Sequence, residues 1–195
     1  MEISGMFNNS KLYQMVRDNS LRSPASIELP GRQVKVPYFI AADSAFALQE
    51  NIMKPYGGKH RKSSCKRVFN YRLSRARRVV ENAFGIISSV FGVLRKPLLL
   101  EPEKAQIVVT TILCLHNYLR QHSKTLYTPH GAVDYEDENG KQMDGSWRND
   151  PDKMNSMLSL QRKPRRSATA LEKIRDELAD YYSHEGAFPW QNKYA

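Results

Sequence analysis

A long stretch with a helical repeat of apolar residues is the strongest constraint on the fold of this chain. Between residues 65 and 91, apolar side chains recur at spacings of three and four, which places them on one face of an α-helix. The stripe consists of Phe69, Leu73, Ala76, Val80, Phe84, Ile87 and Phe91. We therefore predict a helix over about 65–91 that packs this stripe into a core.

Three further segments have helical patterns. Residues 8–19 predict a short helix with an Asn or Ser cap. Residues 102–121 begin at a proline and are apolar on two faces, so we expect this helix to be buried. Residues 169–182 predict a helix that opens with a capping box between Thr169 and Glu172.

The alternation and then the continuous apolar run of residues 34–42 predict a buried strand. Pro37 lacks an N–H, so it should lie where the strand begins. The strand pattern stops at Asp43, and a short helix is expected over about 45–53. These elements predict an α/β domain that is rich in helix.

Composition predicts three parts along the 195 residues: a folded domain over 1–122, a polar, linker-like and flexible segment over 123–167, and a C-terminal helix and tail over 168–195. No apolar run approaches the roughly 20 residues that span a bilayer. The first residues lack the pattern of a secretory signal. Cys65 and Cys114 are expected to be free thiols.

Positive charge is concentrated in one window. Residues 51–100 contain twelve Lys and Arg and one acid, Glu81, whereas the whole chain has a net charge of +10. Such a field favours a polyanionic partner, because neutralised phosphates release counterions. A solvated helix face is the alternative. The predicted phosphate-contacting cations are Lys59, Arg61, Lys62, Lys66, Arg67, Arg72, Arg75 and Arg78.

Two carboxylates have positions that suit metal-dependent chemistry. Asp43 ends the predicted buried strand, where open α/β sheets bind ligands, and Glu81 is the acid inside the basic window. Phosphodiester cleavage uses carboxylates that hold divalent metal ions. Structural alternatives stay open from spacing alone: Asp43 could cap the short helix expected after it, and Glu81 could pair with Arg77 or Arg78 on its own helix.

Smaller features have structural explanations. His116 is expected to be a satisfied core histidine, since no Cys/His spacing accompanies it. Residues 134–145 resemble a calcium loop but lack its glycine and its final glutamate. Trp147 and Trp190 are expected to anchor the later segments. Gly85 leaves two options open, room for metal or DNA and close packing of a helix.

Three blocks together resemble the signature blocks of PIF/Harbinger transposases and their domesticated relatives. They are ADSAFALQENIMKPY at 42–56, FNYRLSRARRVVENAFGII at 69–87 and LLLEPEKAQIVVTTILCLHNYLR at 98–120. The segments GSWRND and EGAFPWQ are also similar to that family. The resemblance implies an RNase H-like nuclease fold with a catalytic triad of two aspartates and one glutamate. Its second aspartate falls on Asp43 and its glutamate on Glu81.

The same resemblance implies a divalent metal cofactor (Mg²⁺ or Mn²⁺), DNA as the substrate, a location in the nucleus and a separate Myb-like protein that recognises the DNA sequence. The first aspartate of the triad has no counterpart here, and we expect the first strands of the sheet to be absent with it. The leading hypothesis is therefore a partial DDE nuclease domain. The alternatives are a non-catalytic DNA-binding or interaction module and a fragment that does not fold alone.

Overall fold

A computed structural model describes residues 7–150 and 168–195. Contacts between Cα atoms divide the chain into two compact units. The first unit comprises Met1–Arg77 and Leu160–Ala195, and the second comprises Arg78–Ser159. The three-part division predicted from composition stays a prediction.

The described residues form a helix-rich mixture of helices and small sheets. The helices are α1 (Lys11–Arg17), α2 (Cys65–Val90), α3 (Pro102–His122), α4 (Lys124–Tyr127), α5 (Thr169–Ser183) and α6 (Gln191–Tyr194), with 3₁₀ turns at Gly92–Arg95 and Ser146–Asn149. The strands are β1 (Ile27–Glu28), β2 (Lys35–Val36), β3 (Ile40–Ala41), β4 (Ile52–Met53), β5 (Tyr135–Glu136) and β6 (Gln142–Met143). They pair as antiparallel β1–β2, parallel β3–β4 and antiparallel β5–β6. Among the described residues, no helix is long and apolar enough to cross a membrane.

The core of the first unit is built around Phe69 of α2, whose exposed fraction is 0%. Its ring makes edge contact with Tyr56 and stacks on Tyr182, so residues far apart in sequence meet there. The other buried members of this core are Val36, Leu48, Met53, Leu73, Leu178 and Ala179. The predicted C-terminal helix is thus confirmed as α5, and it supplies two of them.

The strand predicted over 34–42 is present as two short strands, β2 and β3, with Pro37 between them. The helix predicted over 45–53 is wrong. Ile52 and Met53 instead form β4, which pairs with β3 through bonds from Ile40 N–H to Asn51 O (2.9 Å) and Ala42 N–H to Met53 O (2.8 Å). Burial of both β4 side chains, at 2% and 1% exposed, favours the sheet over a helix at this point.

Helix caps follow the sequence in one case and not in another. Ser10 caps α1 by accepting a hydrogen bond from Tyr13 N–H at 3.1 Å, as an N-cap serine does. The capping box predicted at the start of α5 is wrong, because Ala168 is the N-cap and makes no side-chain bond there. Thr169 is already inside the helix.

Burial along α2 departs from the predicted stripe. Phe69, Leu73 and Ile87 are buried, but Val80 is 55% exposed and Phe84 is 48% exposed. In the second half of the helix, the face that packs against Trp147 carries Asn82 and Gly85. Their side chains are polar or absent, so a hydrophobic repeat cannot reveal this face.

The prediction that helix α3 is buried is wrong. Ile107 is 65% exposed and Tyr118 is 58% exposed, and Ile112 is the buried residue of the helix. Within the described residues, the short helix α4 is its main packing partner. An apolar helix surface becomes buried only where another element supplies a matching surface, and its sequence does not specify that element.

Residues 124–150, the first part of the segment predicted to be polar and linker-like, form α4, the β5–β6 hairpin and a 3₁₀ turn. The linker-like character of the segment stays a prediction. The hairpin turn is closed by Asp137, whose Oδ1 accepts hydrogen bonds from Asn139 N–H and Lys141 N–H. Polar side chains that bond to the backbone, not apolar periodicity, order this segment. Residues 151–167 lie outside the described residues.

We predict that Phe69→Ala lowers the free energy of unfolding by about 3–5 kcal/mol, because it leaves a cavity at the centre of the first core. Val79→Ala on the same helix is the matched control, since Val79 is 73% exposed, and it should change stability by less than about 0.5 kcal/mol. Denaturant unfolding followed by circular dichroism measures both. Equal effects of the two substitutions would contradict the assigned core.

Candidate functional site: two carboxylates and a basic segment

Asp43 follows strand β3 directly and starts a tight turn. Its Oδ1 accepts a hydrogen bond from Ala45 N–H at 2.8 Å, an interaction that fixes the chain as it leaves the strand. Its Oδ2 accepts no hydrogen bond from any described residue, and the side chain is half-buried. Asp43 therefore closes a turn and does not cap a helix, as the structural alternative had it, and it still has one carboxylate oxygen available for a ligand.

Glu81 lies in the middle of α2 and belongs to the second unit. Its side chain is 41% exposed, and its Oε2 lies 3.8 Å from a terminal nitrogen of Arg148. The distance is too long for a good hydrogen bond but short enough for a direct charge interaction. Pairing of Glu81 with Arg77 or Arg78 on the same helix stays a prediction, and Arg148, which follows the β5–β6 hairpin, is a cation beside Glu81 that the sequence did not indicate.

The donor chemistry of both residues fits a divalent metal, because hard cations prefer carboxylate oxygens. Asp43 and Glu81 belong to different units, and their predicted convergence stays a prediction. In the part of the chain that the structure describes, no group of three or more His, Cys, Asp or Glu side chains is placed to hold a metal ion.

Five of the eight predicted phosphate-contacting cations form one exposed group, which we call the basic segment. It lies on the loop before α2 and on the first turn of that helix. Its members, all exposed to solvent, are Lys59, Arg61, Lys62, Lys66 and Arg67. The charge field inferred from the sequence is therefore accessible to a large anionic partner at this point.

The arginine Arg72 has a different environment. Its guanidinium lies 3.7 Å from the centre of the Phe188 ring and 4.7 Å from that of Tyr182, and it donates hydrogen bonds to Gly186 O and Gln191 Oε1. Burial lowers the pKa of Arg72 from its ordinary value. These contacts tie the C-terminal residues to α2, so Arg72 has a structural role.

Arg75 and Arg78 also contact protein groups. The guanidinium of Arg75 lies over the rings of Tyr71 and Phe188, at 5.8 and 5.2 Å. Arg78 forms an ion pair of 2.6 Å with Glu136 of the hairpin, and its side chain is 12% exposed. The ring of Tyr71 in turn stacks on that of Tyr194. A DNA contact by these two arginines stays a prediction.

A polar cluster in the second unit was not predicted as such. Asp134, whose side chain is 1% exposed, accepts hydrogen bonds from Gly145 N–H at 2.8 Å and from Arg148 Nε at 2.8 Å, with a second bond from an Arg148 terminal nitrogen. Asn82 Oδ1 accepts from Asp134 N–H and from Trp147 Nε1–H, both at 2.9 Å. Asp134 opened the failed calcium-loop pattern, and its real partners are an arginine and backbone N–H groups.

This cluster explains Gly85. The indole of Trp147 lies directly where a Cβ atom on Gly85 would stand, so any larger residue would collide with it. Of the two options left open by the sequence, close packing is confirmed. Trp147 is likewise confirmed as an anchor of its segment.

The remaining candidates are structural. His116 Nδ1 lies 2.7 Å from the Tyr127 hydroxyl, and burial lowers the pKa of the imidazole. The prediction of a satisfied histidine is confirmed, but the prediction that it lies in a core is wrong, since its side chain is half-buried. Cys65 and Cys114 are both free thiols, as expected.

Comparison with known proteins gives one match. Residues 4–117, more than half of the chain, match the family described as DDE superfamily endonuclease. The matched stretch includes Asp43, Glu81 and the basic segment, while Asp134 and Arg148 lie beyond it. No curated protein and no solved structure matches the chain.

We predict that Asp134→Asn lowers the free energy of unfolding by about 3 kcal/mol at neutral pH, because it leaves Arg148 without its buried partner. Burial by itself would raise the pKa of Asp134, but the bonds from Arg148 and Gly145 lower it below its ordinary value. The stabilisation is therefore present above pH ~4 and is lost as the pH falls through the lower folded pKa.

The measurement is denaturant unfolding from pH 7 to pH 2, in which the difference between the two proteins should shrink below pH ~4. Asp144→Asn is the matched control. Asp144 also contacts Arg148, at 3.7 Å, but its side chain is 67% exposed, so the loss should stay below about 1 kcal/mol. A difference for Asp134→Asn that persists unchanged at pH 2 would argue against the ion pair as its cause.

Proposed function

The chain belongs to the DDE superfamily endonucleases, and on that premise we propose that it is a transposase-derived nuclease that acts on DNA phosphodiester bonds. In this proposal Asp43 and Glu81 hold a divalent metal ion, Mg²⁺ or Mn²⁺. The observation that carries it is the family match across both carboxylates, together with Asp43 Oδ2, which accepts no hydrogen bond from the described residues at the end of β3. The finer assignments, a PIF/Harbinger subtype and an RNase H-like sheet, rest on the signature blocks.

Endonucleases of this superfamily generally use divalent metals, which activate the attacking oxygen and stabilise the leaving one. In this chain, the hydrogen bond that Asp43 Oδ1 accepts from Ala45 N–H keeps the side chain in place. The other carboxylate oxygen, Oδ2, would be the metal ligand. Glu81 projects from a rigid helix with a partly exposed carboxylate. We assign no residue to the third carboxylate of the triad.

The basic segment supplies the surface for DNA. Its five cations are exposed, and the segment contains no acid. It contacts phosphates without reading sequence, so we propose that specificity comes from a separate Myb-like protein, as the resemblance implies. We also propose a location in the nucleus, which the resemblance implies.

A second candidate function is a DNA-binding module without cleavage. The contact between Glu81 and Arg148 favours it, because a carboxylate that already has a cation partner can serve the fold alone. Binding through the basic segment does not need a metal ion. Cleavage separates the two candidates.

We predict Mn²⁺-dependent nicking of supercoiled plasmid DNA that is lost in both Asp43→Asn and Glu81→Gln. Each substitution removes a charged metal ligand and keeps the shape of the side chain, so nicking should fall by at least about 100-fold. Glu50→Gln is the control, since Glu50 is an exposed acid a few residues from Asp43. If the full-length protein binds DNA but nicks it at no Mn²⁺ concentration, the nuclease proposal fails and the DNA-binding module without cleavage remains.

We also predict that DNA affinity depends steeply on salt through the basic segment. The double substitution Arg61→Gln and Lys62→Gln should reduce the slope of log K against log salt by about 2, since each phosphate contact contributes about 0.9. The pair Lys104→Gln and Lys173→Gln removes the same charge from exposed positions on α3 and α5 and should leave the slope unchanged. Fluorescence anisotropy with a duplex measures both, and equal slopes would exclude this surface.

A further inference from the structure

We propose that Arg148 is a built-in counter-ion of Glu81, which competes with a divalent cation for that carboxylate and so limits metal binding. The inference rests on the proposed function, since it concerns regulation of the same carboxylate. It concerns the second unit alone, where every contact that carries it is found.

Arg148 is held beside Glu81 by groups other than Glu81. Its Nε and one terminal nitrogen bind the two oxygens of Asp134, a pairing that fixes the plane of the guanidinium. Its guanidinium also lies 4.4 Å from the centre of the Trp147 ring. With two strong partners of its own, Arg148 does not depend on Glu81 for its position.

The groups that hold Arg148 are themselves fixed. Asp134 is buried and accepts a bond from Gly145 N–H, and Asn82 of α2 bonds the backbone of Asp134 and the indole of Trp147. Asn82 is the residue next to Glu81 on the helix. The helix that carries Glu81 and the segment that carries Arg148 are therefore joined one residue away from their charge contact.

The contact between Arg148 and Glu81 is looser than the other bonds of Arg148. The 3.8 Å separation makes Arg148 a nearby charge and not a hydrogen-bonded partner. A cation that bound Glu81 would therefore not have to break a hydrogen bond to Arg148, but it would enter the field of a positive charge that Asp134 holds in place. Like charges at such separations repel appreciably even in water.

The sign of the effect separates this inference from a structural role. If Arg148 only supports the fold, its removal loosens the segment and leaves metal affinity equal or lower. If Arg148 is a competing counter-ion, its removal makes Glu81 a better cation ligand. The expected gain is about threefold to tenfold in Mn²⁺ affinity at low ionic strength.

The experiment is a titration of the full chain with Mn²⁺ alone, followed by the electron paramagnetic resonance signal of the free ion. Arg148→Gln should bind Mn²⁺ more tightly than the wild-type chain, and Arg148→Lys should resemble wild type because it keeps the charge. Lys141→Gln is the matched control, since it removes one charge from the exposed turn of the same hairpin. Addition of Glu81→Gln to Arg148→Gln should abolish the gain.

Arg148→Gln leaves Asp134 without its cation and can fail to fold. The double variant Asp134→Asn and Arg148→Gln replaces the ion pair with two amides that can bond to each other, and it should show the same gain. Equal or weaker Mn²⁺ binding by folded variants overturns the inference while leaving the proposed metal site intact. Absence of any Glu81-dependent binding in all proteins overturns both.

Discussion

Helix α2 runs through both units and packs in a different way in each, and the rest of the described structure depends on this. The first part of α2 places Phe69 and Leu73 in the apolar core of the first unit. Its second part belongs to the second unit and presents Asn82 and Gly85 to the Trp147 segment. Apolar burial stabilises one end, whereas close packing on a glycine and hydrogen bonds to an amide order the other. Glu81 lies where the second type of packing begins.

The sequence predicted those elements whose order comes from apolar periodicity. Helices α2, α3 and α5 were located from spacing within a few residues, because a helix with apolar side chains on one face repeats visibly. The burial of α3 was not predictable, because an apolar face shows that a helix can be buried but does not identify the element that would cover it. The β5–β6 hairpin and the 3₁₀ turn at Trp147 were missed, because side-chain bonds from Asp134, Asp137 and Asn82 organise them.

The candidate site also has one part that the sequence predicted and one part that it did not. The strand end that carries Asp43 was recognisable because an apolar run stops at an acid. The prediction that this strand is buried is wrong, since Ile40 of β3 is 39% exposed, and the element after it proved to be a turn and a strand. The contact between Glu81 and Arg148 was not recognisable from the sequence. Arg148 reaches Glu81 through a hairpin that follows two helices, and nothing in the local spacing of α2 indicates that distant contact.

The concentration of positive charge in the sequence overstates the surface that can meet DNA. Arg72 is enclosed by two aromatic rings, and Arg78 is paired with Glu136. Arg95 donates to Ser88 O and Ser89 O in the last turn of α2 and pairs with Asp150, where a cation also complements the helix dipole. Arginine serves these structural positions because its planar head binds several acceptors at once. Of the eight cations predicted to contact phosphate, the five exposed ones lie before α2 or on its first turn. A field of that size suits contact with a few neighbouring phosphates.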